Sequence, residues 1–276
     1  MQRRELLTLL GALAIGRAAR ADAPGLRISP IGLQLYTVRK ALERDFEATL
    51  ARVASIGYRE VEFAGYFGRA PLEVRAILDR LGLSAPSAHV PFDAIGGEWR
   101  RTLDAARAIG HRYVLLASVG GATSIEDYQR LAERFNRAGE LAAQAGIRFG
   151  FHNHDAEFKP TSGKIPYDVL LESTDPRYVC FEMDLYWITK GGQDPLRYFA
   201  RWPGRFELAH VKDAAPAPRG GMTDVGAGTL DWRRIFSHAA QAGFKHYFVE
   251  RDDAEEAGDA FASIAASYAY LRDLRY

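Results

Sequence analysis

Residues 145–154 read Ala145-Gly146-Ile147-Arg148-Phe149-Gly150-Phe151-His152-Asn153-His154, and the reading of this stretch decides the fold. A glycine just past an amphipathic segment takes the left-handed cap conformation at little steric cost. A short apolar run follows, as in a strand, and polar residues stand at its end. The same helix–glycine–strand junction recurs at Ile56-Gly57-Tyr58, Leu81-Gly82-Leu83, Ile109-Gly110-His111 and Ala242-Gly243-Phe244. The stretches before these glycines have helical period. Leu42, Phe46, Leu50, Val53 and Ile56 share one face, with Asp45 as the cap; Leu131, Phe135, Leu141 and Ala145 belong to a longer helix; Trp232, Ile235, Phe236 and Ala239 belong to a later one. The runs 113–117, 147–151, 178–181, 206–209 and 247–249 are almost continuously apolar, as parallel strands covered on both faces are.

Extending this rhythm outward gives eight strands, at 31–36, 59–63, 84–89, 112–117, 147–152, 179–184, 206–211 and 246–250. Eight βα units in one chain of this length predict a single-domain (β/α)₈ TIM barrel over residues 22–276. An open doubly wound sheet is the alternative, and the first strand is not followed by the G-x-G-x-x-G turn that such dinucleotide-binding sheets carry. No second domain, linker or low-complexity segment stands out.

The 276 residues are 47% hydrophobic and 26% charged, a globular composition with enough apolar material for a large core. The net charge of +1 offers no field to gather nucleic acid or an anionic membrane. The single cysteine, Cys180, excludes an intrachain disulfide and any multi-cysteine metal centre. At the N-terminus, Arg3-Arg4, an apolar run over 6–16 and Ala19-Arg20-Ala21 read as a secretory signal of the twin-arginine type with cleavage after Ala21. Loss of residues 1–21 removes four arginines and one glutamate and brings the net charge to −2. The expectation is a periplasmic or secreted protein with no stable membrane anchor after cleavage and no nucleic-acid partner, with homo-oligomer formation left open.

Barrel enzymes place their chemistry at the C-terminal ends of the strands. Those ends carry Gln34, Glu62, His89, His152 and His154, Glu182 and Asp184, His210 and Lys212, Glu250 and Asp252. Isolated charges at the ends of apolar strands are costly unless paired or metal-bound. Imidazole and carboxylate groups from four successive strands predict a site for one divalent ion, Mn²⁺, Zn²⁺, Co²⁺ or Mg²⁺.

At these residues the chain resembles the sugar phosphate isomerase/epimerase family of xylose-isomerase-like barrels, which includes inosose dehydratases and is related to endonuclease IV. The likeness lies in Gly32-Leu-Gln-Leu-Tyr36, Val61-Glu62-Phe63, His152-Asn-His-Asp155, Met183-Asp184-Leu-Tyr-Trp187, His210-Val-Lys-Asp213, Val225-Gly-Ala-Gly-Thr-Leu-Asp-Trp232 and Val249-Glu250-Arg-Asp252. It implies a metal held by Asp184, His210 and Glu250, with His152 standing where the family has a glutamate. It also implies that the ion polarises a sugar carbonyl so that a neighbouring carbon-bound proton can leave, with glutamates moving the proton.

With one family glutamate replaced, Glu157 reaching back from the loop, or His154, would stand in as the partner of Glu250. Lys212 would hold a substrate oxygen or stabilise an enolate, or else pair with Asp213 or Glu182. His89, Glu62 and Gln34 would contact sugar hydroxyls or the carbonyl, Arg251 an anionic group, and Trp187, Phe92 and Tyr36 the apolar face of a ring. The expected activity is a metal-dependent sugar isomerase or epimerase with a small carbohydrate substrate. A lyase or dehydratase on a keto-sugar, inosose or glycoside is the alternative, and a non-catalytic sugar-binding barrel the second. An endonuclease would need more metal ligands and a basic groove. Val225-Gly226-Ala227-Gly228 reads as a turn of the loop after the seventh strand, not as a phosphate loop, and His111, His238 and His246 read as structural.

Overall fold

The computed structural model describes residues 25–276; the export signal expected at 1–21 lies outside them. Eight parallel strands close into a barrel, β1 (Gly32–Gln34), β2 (Glu60–Phe63), β3 (Ser84–Val90), β4 (Tyr113–Leu116), β5 (Arg148–His152), β6 (Val179–Asp184), β7 (Phe206–Val211) and β8 (His246–Val249). Every strand pairs with its sequence neighbour, and β8 closes the ring on β1. All eight fall where the sequence places them. β1 is shorter than expected because the chain tightens into a 3₁₀ turn at Leu35–Val38, whose first turn is capped by the Gln34 side chain accepting from the Tyr36 N–H.

The predicted glycines end their helices as required. Gly243 has φ +96°, and a Cβ there would come within 2.8 Å of the Gly204 backbone, so both conformation and close packing demand glycine. Two details of the helices differ from the sequence reading. Leu42 lies in a separate short helix, Arg39–Arg44, because Asp45 leaves the helix to cap Phe46–Ile56 by accepting from the Ala48 N–H. Leu141 is exposed, since the buried face of helix Ile125–Gln144 runs through Leu131, Phe135, Ala138 and Ala142.

Inside the barrel, alternate residues make layers, as period 2 dictates. Leu115, Cys180, Leu208 and Phe248 form a small apolar cluster with Tyr113, separate from the main core between sheet and helices. Below it, at the N-terminal end of the strands, Glu60 accepts from His246, and Glu207 accepts from Tyr113, Arg148 and Lys245. Above it, at the C-terminal end, stand Gln34, Glu62, Ser87, Glu182 and His210, all fully buried. The apolar layer isolates this upper polar layer from the lower one, and the strand register brings His152 level with Glu182 and Asp184 level with His210.

Candidate metal and substrate site

Past the strand ends the barrel mouth opens into a cavity of about 450 Å³ lined by Tyr36, His89, His152, His154, Lys212, Glu250 and Asp252 among others. Asp184, His210 and Glu250 each offer one ligand atom within 4.8 Å of the others. His210 Nδ1 lies 2.8 Å from Glu250 Oε2 and 3.8 Å from Asp184 Oδ2. Asp184 Oδ2 and His210 Nδ1 are buried and have no hydrogen-bond partner of acceptable geometry. Buried ligand atoms that converge on one point with ion-pair contacts but no well-aligned hydrogen bond suit a divalent cation better than a finished hydrogen-bond network. On this ground the residues fit a divalent ion.

His152 stands at the edge of this trio, with Nε2 4.0 Å from Asp184 Oδ2. It also belongs to a second constellation with His89, Glu182 and His210, whose ligand atoms again lie within 4.8 Å of one another. Here Glu182 Oε2 is 2.7 Å from His89 Nε2, 3.1 Å from His210 Nε2 and 3.3 Å from His152 Nδ1. The sequence marks Glu182 as a strand-end acid and as an alternative partner of Lys212, not as a companion of imidazoles. The β5–β6 register sets it beside His152, and closure of the barrel brings His89 of β3 and His210 of β7 across to it, relations that one sequence does not reveal.

Burial opposes every charge at this mouth, and the neighbours decide the outcome. For Lys212, Asp184, Glu250 and Asp252 outweigh burial and hold the ammonium protonated well past its usual range. For Glu250, Lys212 and His210 outweigh it and hold the carboxyl below its usual range. His210 is raised by Glu182 and Glu250 against burial. Burial dominates at His152, His154 and Glu157, keeping both imidazoles neutral and raising the carboxyl.

The sequence pattern of the xylose isomerase-like TIM barrel family matches residues 50–274. The chain belongs to that family. Relatives of this xylose isomerase-like barrel include the inosose dehydratase of Klebsiella pneumoniae, 23% identical over 91% of this chain and 98% of that protein. Among solved structures, a sugar phosphate isomerase/epimerase from Parabacteroides distasonis superposes with TM-score 0.78 at 28% identity, covering 92% of this chain and 96% of that one. The IOLI protein, solved with a zinc atom, shares the fold with TM-score 0.68 at 13% identity, over 88% and 96% of the two chains.

The xylose isomerase-like barrel gathers most of the strand-end residues but not all. His154 lies past the end of β5 and still lines the cavity, its ring 5.5 Å from that of Trp187. Lys212 pairs with Asp184 at 3.0 Å, Glu250 at 2.7 Å and Asp252 at 2.8 Å, not with Asp213 or Glu182. Four expectations are corrected. Glu157 does not reach the cavity: its carboxylate turns back to accept from the His154 N–H at 2.7 Å and braces the loop. Gln34 and Glu62 are fully buried beneath His210, bonded to each other, so they do not meet a substrate. Arg251 is pinned to Asp224 and Asp253. Phe92 faces away, under the Arg134 guanidinium and beside Gly120.

Asp213 is a residue whose role the sequence reading did not find. Its carboxylate accepts from the N–H groups of Ala214, Gly226 and Leu230 and from the Trp232 indole. A Cβ at Gly228 would fall 2.1 Å from Asp213 Oδ1. This explains Gly228, which lets the loop close around one buried carboxylate, whereas Gly226 takes φ +91° under the Tyr270 ring. The expected turn is therefore an anchor for the β7 loop, and a short antiparallel ribbon, Asp213–Ala214 with Met222–Thr223, extends from it.

Proposed function

We propose that this protein is a divalent-metal-dependent sugar isomerase or epimerase that removes the proton on the carbon beside a carbonyl and returns a proton. The observation that carries the reading is the convergence of Asp184, His210 and Glu250, two of whose buried ligand atoms make no aligned hydrogen bond, beside the cavity that Glu250 lines. These three, with His152 as a fourth donor, would hold the ion; an imidazole and carboxylate set suits Mn²⁺, Zn²⁺, Co²⁺ or Mg²⁺. A bound ion of this kind polarises a carbonyl oxygen and acidifies the neighbouring C–H. Glu250, held ionised by Lys212 and His210, is the base on one wall. His154, kept neutral by burial, accepts or returns a proton on the other. The Lys212 ammonium, fixed between three carboxylates, offers its positive charge to oxygen as that oxygen becomes negative.

A second reading, β-elimination, is favoured by the position of Glu157. With that carboxylate tied into its loop, Glu250 is the one glutamate among the described residues that line the cavity, where a two-glutamate relay needs two. Elimination needs one base and one acid, and Glu250 with His154 or Lys212 supplies both. The inosose dehydratase relatives, aligned over most of the chain, accord with it. The twin-arginine-type start supports a periplasmic or secreted site of action, which favours free or oxidised sugars over phosphorylated ones.

The metal-loaded protein, incubated in deuterated water with a panel of ketoses and keto-inositols and followed by proton NMR, tests both. Loss of a C–H signal with appearance of an isomer supports the first reading. Loss with an unsaturated product supports the second. Bound metal with neither exchange nor product overturns both and leaves a binding barrel.

A further inference from the structure

We infer that the substrate of this pocket is larger than a single sugar ring: a glycoside whose apolar, aryl-type aglycone lies in a second lobe beside β3. This inference rests on the carbohydrate reading of the first lobe. The second lobe is a further cavity of about 450 Å³ that shares Gly65, His89, Val90 and Pro91 with the first. The two are therefore adjoining chambers, and His89 stands on the boundary with Nε2 committed to Glu182. Each is already of a size that accepts a small ligand, so one ring fills only one of them.

The walls of the two lobes differ in chemistry. The first carries Lys212, Glu250, Asp252, His152 and His154, groups that bind hydroxyls and carbonyls. The second is walled by Tyr66, Val90, Pro91, Ala94 and Ala105, with Asp93, Glu98 and Arg101 also on its lining. Glu98 and Arg101 are exposed. A second hydroxyl-rich ring would find few buried polar partners there and would lose its hydration for little return. A flat apolar group would gain by burial against these walls. The lobe belongs to the loop after β3 and to one face of helix Trp99–Ile109, elements that contribute none of the proposed metal donors. Ring chemistry and aglycone recognition are thus carried by different parts of the barrel.

The test compares matched pairs, the methyl and 4-nitrophenyl β-D-glucosides, galactosides and xylosides, by NMR titration of the zinc-loaded protein. At least one nitrophenyl glycoside binds tenfold or more tightly than its methyl partner. Ala105→Trp and Thr102→Trp fill the lobe from a half-buried helix face; either one removes that advantage and leaves the methyl glycoside within twofold of wild type. Two variants guard against one failing to fold, checked by circular dichroism. Equal affinities within every pair, or an advantage that survives in a folded variant, overturns the aglycone subsite. Methyl glycoside binding without any aryl advantage leaves the sugar pocket standing, whereas no binding by any pair sinks both.

Discussion

His210 Nε2 lies 2.7 Å from Glu62 Oε2, with both side chains fully buried, and this contact decides which imidazole nitrogen faces the pocket. Glu62 is itself held by Gln34 Nε2 at 2.7 Å and by the Ser87 hydroxyl. A carboxylate on one imidazole nitrogen takes up the proton-bearing edge and leaves the other lone pair for a metal. Gln34 and Glu62, expected to meet substrate, instead stand beneath the proposed ligands, Glu62 orienting His210 and Gln34 holding Glu62.

Glu62→Gln is expected to weaken divalent-ion binding by about 10- to 100-fold, the usual cost of losing such a partner. Whichever way its amide turns, an NH₂ replaces an accepting oxygen that faces either Ser87 or Gln34 and His210 within a buried layer. Calorimetric titration of the chelator-stripped protein measures the affinity. An unchanged constant in a folded variant would show that Glu62 does not orient His210.

The three proposed ligands separate by readout. Asp184 also caps the short helix Leu185–Lys190 by accepting from the Trp187 N–H at 2.8 Å, and asparagine preserves that cap. Asp184→Asn is therefore expected to stay folded and lose tight metal binding, as is His210→Ala. Glu250→Gln is expected to keep the barrel and lose turnover by about two orders of magnitude or more. Stoichiometric metal retained in both ligand variants removes the ligand assignment; wild-type turnover in Glu250→Gln removes it from proton transfer.

Lys212 places an ammonium 3.0 Å from Asp184 Oδ2 and 2.7 Å from Glu250 Oε2, the same carboxylates that the ion would use. Lys212→Met removes this competitor and leaves buried acids facing one another, a loss of about 3–5 kcal/mol for a broken buried pair. The metal-free variant is expected to melt well below wild type. Because binding to the folded state raises stability in proportion to the logarithm of ligand over dissociation constant, added Zn²⁺ or Mn²⁺ should raise its midpoint further than it raises wild type's. Equal shifts on metal addition would mean that lysine and ion do not share these oxygens.

The barrel was legible because each of its signals is local. A glycine after a helix, an apolar run and a polar strand end occur within ten residues at 145–154, and repetition alone counts the strands. Strand-end polarity likewise singles out His152, Asp184, His210, Lys212 and Glu250, which the structure brings to one end of the barrel. Burial was not legible. Glu62 and Glu250 both end strands, yet Glu62 is fully enclosed between Gln34, Ser87 and His210 while Glu250 lines the cavity. The difference depends on register and on which loop covers which strand, relations between distant segments. Glu157 shows the same limit, since only loop conformation decides that its carboxylate meets the His154 N–H and not the pocket.

Away from the mouth, His111 links structure to pH. Its Nδ1 donates to the Ala85 carbonyl at 2.6 Å, and its Nε2 is 3.0 Å from the Tyr66 hydroxyl, which donates to it. Burial pushes its pKa down to about 4, against about 6.5 in an unfolded chain. Above the unfolded value both states are neutral, and this group contributes no slope. Between about 6.5 and 4 the unfolded chain binds more protons, so stability falls as pH drops through that window and levels off below it. The largest loss is about 3 kcal/mol at roughly 1.4 kcal/mol per unit. His111→Gln carries no titrating group, so its stability relative to wild type should improve between pH 7 and pH 4.5 in urea unfolding. Parallel curves for the two proteins across that range would show that His111 takes up its proton as readily folded as unfolded, and its place against Tyr66 and Ala85 would need another explanation.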